Sequence, residues 1–313
     1  VNPVLPDEAV ELGEAAAKAF AVIGGVELAR RAERDPSVRA AEVLPVLESL
    51  GLGDLDPRDD DVALAAAAAW CEAAGRVALP YPLAAALVRD GDGRPSAAVP
   101  PGRARVDHAT VAAGWRVGTL DGAEGGVARP GGAALGTRLG PFVGDLVVTD
   151  HGPPPMLDLL IHQTLLAWTV LGTLSQAVAL TVEHVNGRIQ FAKPISTFQA
   201  VQFQLADAAV AVAGLRELAG FTLWRLRRAD EAARADVLAL RLHALEVART
   251  VLRTCQQLHG AAGVCDEYDV SVLTRMVQPA LRLPAGTEQT AAALADAIAA
   301  DGFVGLFGHG GHR

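Results

Sequence analysis

The stretch GRIQFAKPISTFQAVQFQLAD, residues 187–207, decides how the chain is read. It sets a guanidinium (Arg188), an amide (Gln190) and an aromatic ring (Phe191) side by side between two long apolar runs. Gly187 suits the end of one helix, and Ser196 and Thr197 suit the start of the next. A plain surface turn would account for a solvated Arg188, a Phe191 staple and a rigidifying Pro194. Two core helices need only a turn between them, however, so the cation, the amide and the ring ask for a further role.

Working outward, helical periodicity predicts one helix over 157–186 and a second from the Ser196/Thr197 start to about Arg228. A third is expected over 231–259, ended by Gly260, with shorter ones over 268–282 and 287–301. Long helices with short connections predict an antiparallel bundle. Towards the N-terminus, residues 7–32 read as a helix with Val10, Leu12, Ala16, Ala19, Phe20 and Ile23 on one side. Further helices fit 38–50, ended by Gly51, and 61–77, followed by Pro80 and Pro82. Residues 91–153 are crowded with Gly and Pro and lack Lys. Short β-like runs at 110–120 and 144–149 are separated there by turn signals at Asp121-Gly122, Gly125-Gly126 and Pro130-Gly131-Gly132. The expected fold class is mainly α: an N-terminal helical domain over 1–90, a reduced β domain over 91–153 and a C-terminal bundle over 154–313. No internal repeat is present.

Composition limits the function. The 313 residues are 51% hydrophobic but only 4% aromatic, so the core is built from Ala, Val and Leu, which favours closely packed helices. A net charge of −9 offers no basic face for nucleic acid or a membrane surface. The apolar stretch 157–181 contains Asp158, His162, Gln163 and Gln176 and reads as a core helix rather than a membrane span. Cys71, Cys255 and Cys265 lack metal-ligand spacing and read as reduced, buried or semi-buried thiols of a cytoplasmic protein. No signal peptide is expected, because the N-terminus carries acids rather than a basic region before an apolar run.

A second cluster joins the first. Residues 257–263 read QLHGAAG: Gln257 offers an amide, and Gly260 and Ala261 let a ligand approach the backbone closely. A cationic loop and a small-residue loop together suit a dinucleotide, the Arg for pyrophosphate and the amide and bare backbone for adenosine. At these residues the chain resembles the acyl-CoA dehydrogenase family. The family carries R-x-Q-F-G-x-P-I-x-x-F-Q-x-x-Q-x-x-L-A-D between its first two bundle helices. Residues 188–207 match it and depart only at Ala192. The family's Q-x-x-G-G-x-G corresponds to 257–263, and EAAGRVALPYPL (72–83) resembles the end of its N-terminal helical domain.

The resemblance implies FAD at a dimer interface, its ADP portion gripped by the neighbouring subunit. Carried over, Arg188 would face the pyrophosphate with Gln190 and Phe191 beside it. Gln257, Gly260 and Ala261 would line the adenosine end, and Thr287 and Gln289 would also contact nucleotide.

The catalytic pattern departs. The family's base is a glutamate in Y-E-G-T-x-Q; this chain has PAGTEQ (284–289), with Ala285 at the glutamate position. Glu288 suits a first-turn acid favoured by the helix dipole. An alternative family position, 26 residues before the signature Arg, holds His162, the runner-up base. The family's flavin-facing T-E-P-x-x-G-S-D and Trp-Ile-Thr segments are missing, WRVG at 115–118 being the nearest to the second. Loss of the base and of the flavin cradle, with the trans clamp kept, resembles the non-catalytic subunit of α2β2 steroid acyl-CoA dehydrogenases of actinobacteria. The expected role is a subunit of an FAD-dependent enzyme that desaturates a bulky, steroid side-chain acyl-CoA. The partner would supply the glutamate, bind most of the substrate and pass electrons to an electron-transferring flavoprotein. The rivals are a self-sufficient homomeric enzyme with an atypical base and a flavin-free scaffold partner.

Overall fold

The computed structural model describes residues 4–132, 139–153, 155–229 and 233–300. Helix α1 (Asp7–Val22) and α2 (Val26–Arg34) replace the single helix expected over 7–32. The break lies at Gly24 and Gly25, whose φ of 125° and 54° leave the helical region. The buried face of α1 is Ala9, Gly13, Ala16 and Phe20, whereas Val10 and Leu12 are exposed. The periodicity was right in period and shifted in phase. A π-helical turn, Arg39–Val43, leads into α3 (Leu44–Ser49), and Gly51 follows at φ 91°. Helix α4 (Asp61–Arg76) is capped by Asp60, whose carboxylate accepts from Ala63 N–H at 2.7 Å. A short α5 (Leu83–Leu87) was not expected; its apolar LAAAL sequence has no amphipathic period because all of it is buried.

The middle segment forms one five-stranded sheet: β1 (Ser96–Ala98), β2 (Arg105–Val106), β3 (Trp115–Gly118), β4 (Gly125–Pro130) and β5 (Gly144–His151). Their order is β1-β3-β4-β5-β2, with β1 parallel to β3 and the other pairs antiparallel. The turn expected at Gly125-Gly126 is instead the start of β4. Gly126 sits opposite His151 so closely that a side chain there would strike the Asp150 carbonyl.

Helix α6 (Met156–Gly187) is the hub of the molecule. By length and composition it could cross a membrane, but 56% of its most apolar window is buried, and α4, α7 and α8 pack on it. After it come a two-residue hairpin, β6 (Ile189–Gln190) and β7 (Lys193–Pro194), then α7 (Gln199–Ala229) and α8 (Arg234–His259). Gly187 remains inside α6. Ser196 and Thr197 form a 3-10 turn, and Thr197 Oγ1 donates back to Pro194 O at 2.7 Å rather than capping α7. The helix expected over 268–282 is two, α9 (Asp269–Met276) and α10 (Gln278–Arg282), divided where Pro279 removes a backbone donor. Helix α11 (Thr287–Ala300) ends the described chain; the expected boundaries at 154, 231 and 301 lie outside the described residues.

The core rests on the crossing of α4 and α6. A methyl group on Gly75 would drive into the Thr169 carbonyl, and one on Gly172 into the Glu72 carbonyl. The two backbones therefore touch, and Thr173 Oγ1 donates to Gly75 O at 3.1 Å across the seam. Beside it, buried Glu72 accepts from Arg216 of α7 at 2.9 and 2.6 Å and from Arg76 at 2.7 Å. Cys71 and Cys255 are buried, but Cys265 is exposed, because it follows the loop at the end of α8.

Candidate functional site

The 188–194 loop is a tight antiparallel hairpin. Ile189 pairs with Pro194 and Gln190 with Lys193, leaving Phe191 and Ala192 as the two turn residues. Both have positive φ, 51° and 61°, as a type I′ turn requires. Arg188, Gln190 and Phe191 are exposed, Phe191 at 87%. Its ring meets the edge of Phe198, at 6.0 Å between centroids, while Lys193 Nζ lies 4.4 Å from the Phe198 centroid. Phe191 is therefore not the staple that a plain turn would use.

The QLHGAAG loop lies beside the hairpin. His184, one turn before the end of α6, stacks on His259 at the end of α8 with 4.3 Å between centroids. Tyr268 meets both rings edge-on at 6.4 Å. His184 is held below its ordinary pKa by burial, by His259 and by the Arg188 charge, so it stays neutral beside that cation. Gln257, Gly260 and Ala261 are exposed on this end. Gly260 has φ 62°, and no atom lies within 4 Å of where its Cβ would be, so the backbone there is open to approach. Gly263 is different: a side chain would strike the Gln256 carbonyl, so it serves packing. The two loops thus form one surface with a cation, amides, a free ring and bare backbone, a set of groups that suits an ADP moiety.

Thr287 and Gln289 are exposed at the start of α11. Thr287 lines a groove with Arg249, Arg253 and Gln256 of α8. Ala285 is pinned through its backbone. Arg241 of α8, 4% exposed, donates to Leu283 O at 2.8 Å, Ala285 O at 2.5 Å and Gln163 Oε1 at 2.9 Å. Burial lowers its pKa to about 10, so it stays charged. Sequence reasoning missed Arg241, since nothing in RLHAL distinguishes a buried arginine from the exposed ones around it.

His162 is also buried. Its Nδ1 accepts from Ala98 N–H at 3.4 Å, and burial and then the Arg241 charge lower its pKa to about 3. So weak a base is poorly matched to abstracting a proton near neutral pH. Trp115 is fully buried and donates its indole N–H to Ala109 O at 3.0 Å. The partly open cavity lined by the β unit, α4, α5, α6 and α10 holds about 100 Å³. That is below the roughly 150 Å³ that accepts one benzene ring, so a three-ring isoalloxazine does not fit inside it.

Residues 156–299 match the family described as acyl-CoA dehydrogenase, C-terminal domain. The bundle is similar to the C-terminal domain of the acyl-CoA dehydrogenases. An acryloyl-CoA reductase (NADH) of Anaerotignum propionicum is 33% identical over 105 residues, 34% of this chain and 26% of that protein. The match thus spans about a quarter of that relative's length. Among solved structures, the Tcur3481-Tcur3483 steroid ACAD G363A variant superposes with a TM-score of 0.80 at 21% identity, covering 95% of this chain and 99% of that one. The ChsE4-ChsE5 complex from Mycobacterium tuberculosis gives 0.77 at 18% identity, covering 96% and 99%. At these identities the likeness establishes that the acyl-CoA dehydrogenase fold extends over the N-terminal helices and the sheet as well as the domain.

Proposed function

We propose that this chain is a non-catalytic subunit of an FAD-dependent acyl-CoA dehydrogenase. It closes the ADP end of the cofactor across an interface with a catalytic homologue. The observation that carries this reading is the exposure of the hairpin. Phe191 stands in solvent at a backbone conformation that costs an L-residue roughly 1 kcal/mol, and packs almost nothing of its own chain. Residues matching a family motif yet contributing little to their own fold are suited to a ligand or chain that arrives from outside.

In this reading Arg188 binds the pyrophosphate, Gln190 and Phe191 flank it, and Gln257, Gly260 and Ala261 line the adenosine. Thr287 and Gln289 add contacts at the start of α11. FAD, when bound, supplies the acceptor for the β-hydride of an acyl-CoA as the α-proton leaves. This chain's residues hold the cofactor's far end and neither remove nor supply a proton there. Ala285 offers only a methyl group, and His162 is too acidic in its protonated form. The partner therefore provides the glutamate and most of the acyl-CoA site. Two such pairs make an α2β2 assembly in the cytoplasm, with an electron-transferring flavoprotein as acceptor. The steroid acyl group rests on the fold likeness to a protein whose name carries that substrate class.

Flavin per polypeptide tests the reading. The chain purified alone should be colourless, and co-purified with an acyl-CoA dehydrogenase homologue it should carry about one FAD per unlike pair. Arg188→Ala or Phe191→Ala should then lower the flavin content of the pair without changing the thermal stability of the lone chain. Stoichiometric FAD on the lone chain would overturn it in favour of a homomeric enzyme; a pair whose flavin content ignores Arg188 would leave a scaffold.

A further inference from the structure

Between α8, α10 and the start of α11 lies a groove of about 360 Å³. Pockets that take small molecules run from roughly 300 to 1,000 Å³, so this one has room for a ligand. Arg249 and Arg253 of α8 and Arg282 of α10 line it, with Gln256, Gln278 and Thr287 adding two amides and a hydroxyl. Among the described residues no carboxylate lines it. Three guanidiniums without an acid stand out in a chain whose net charge is −9.

The two arginines of α8 are unpaired. Elsewhere in the bundle arginines are engaged: Arg216 with Glu72 at 2.6 Å, Arg225 with Asp236 at 2.7 Å and Arg275 with Glu33 at 2.7 Å. Arg249 and Arg253 are exposed, and among the described residues neither has a hydrogen-bond, ion-pair or ring partner. Glu246 precedes Arg249 by one helical turn and makes no ion pair with it. Arginines at i and i+4 rise from one helix face with their Cβ atoms about 5–6 Å apart. Like charges at that spacing weaken a helix, a cost that a shared anion would remove. The same spacing lets both guanidiniums reach one phosphate, or the two phosphates of a diphosphate, through paired N–H···O bonds.

The opposite side of the groove is fixed by buried structure. Arg241, about two turns before Arg249 on α8, donates to Leu283 O at 2.8 Å and Ala285 O at 2.5 Å. Those bonds pin the link between α10 and α11 against α8. Thr290 N–H donates to Gly286 O at 2.9 Å, which sets the first turn of α11 and with it Thr287. Gln278 is held by its amide, which donates to Thr274 O at 2.9 Å. The fold therefore sets these walls before any ligand arrives.

We propose that this groove binds a phosphate-bearing small molecule, with Arg249 and Arg253 gripping its phosphate or diphosphate and Thr287 and Arg282 facing the rest of it. The inference shares Thr287 with the proposed FAD contact but does not rest on that reading, because Arg249 and Arg253 belong to neither of the two clamp loops.

Calorimetric titration of the full lone chain with inorganic pyrophosphate tests the site. Low salt is needed, since exposed charges are screened beyond about 10 Å at 0.1 M. A chain of net charge −9 repels such an anion in general, so saturable binding requires a local site. Arg249→Gln and Arg253→Gln should each weaken that binding about tenfold or more, the worth of one hydrogen bond to a charged group. Both side chains are exposed, so the variants should fold. Arg129→Gln, which removes an exposed arginine of the sheet, should leave the binding unchanged. Lack of saturable binding overturns the proposal. So does binding that survives both α8 substitutions, and its loss in Arg188→Gln would then assign it to the hairpin. The flavin-loaded pair identifies the source of the phosphate. Pyrophosphate binding that persists there assigns the groove to a phosphorylated molecule other than FAD; binding that FAD blocks assigns it to the FAD diphosphate. The lone chain carries the main test, so failure of the subunit reading would leave its outcome intact.

Discussion

The seam between α4 and α6 and the hairpin end of the bundle are opposites. At the seam, Gly75 and Gly172 bring two backbones into contact, Thr173 bonds across it and Glu72 is gripped by two arginines. The hairpin presents Arg188, Gln190 and Phe191 to solvent on two residues with positive φ. The first region holds the fold; the second carries the signature of residues 188–207 and holds little of the fold. Motif residues without a packing duty are the ones on which the proposed cofactor contact rests.

The contrast can be broken most forcefully at the seam. Gly75→Ala should destabilise the chain by about 3 kcal/mol or more, because the new methyl group meets the Thr169 carbonyl and the helices must separate. Denaturant unfolding measures this, and a loss under 1 kcal/mol would show that the seam yields. Glu72→Gln comes next, at about 2 kcal/mol. Removing one member of a buried pair can cost 3–5 kcal/mol, but Arg216 and Arg76 are 40% and 42% exposed and can turn to water. Burial alone would raise the Glu72 pKa; the hydrogen bonds and charges of Arg216 and Arg76 outweigh it and lower the value. A lowered carboxyl pKa gives stability that is complete above the unfolded-state value of about 4.3 and is lost as pH falls through the folded one. Glu72→Gln should therefore flatten the acid limb of the stability profile, as read by melting temperature against pH. The smallest effect belongs to the hairpin: Ala192→Gly restores the residue usual at that motif position and should stabilise the chain by about 0.5–1 kcal/mol. A destabilised variant would mean that the positive φ is held by contacts outside the turn.

Much of the bundle was legible because its signals are local. Gly260 ends α8, Asp60 caps α4 and apolar periodicity spans α6, each set by neighbours within a turn or two. Boundaries failed where a local signal had two meanings. Gly125-Gly126 reads as a turn but serves a strand that must pass close to β5. Ser196 and Thr197 read as caps but close a 3-10 turn. The candidate site residues come from the motif alone; that His184 and His259 stack at the ends of α6 and α8 was not legible, since no pattern links those two ends.

The sequence by itself determined the succession of helices, the small sheet between them and the two loops of the candidate site. It also determined the absence of a glutamate at Ala285. Periodicity, capping and motif spacing act over a few residues and survive without the rest of the chain. Tertiary structure alone decided what those residues face. It left Phe191 in solvent, drew Arg241 under the Ala285 backbone and set Asp107 and His162 on one cavity wall. These are relations between residues distant in the chain, fixed by how closely the α4–α6 seam and the sheet can pack, and packing is a property of the whole core rather than of any stretch of it.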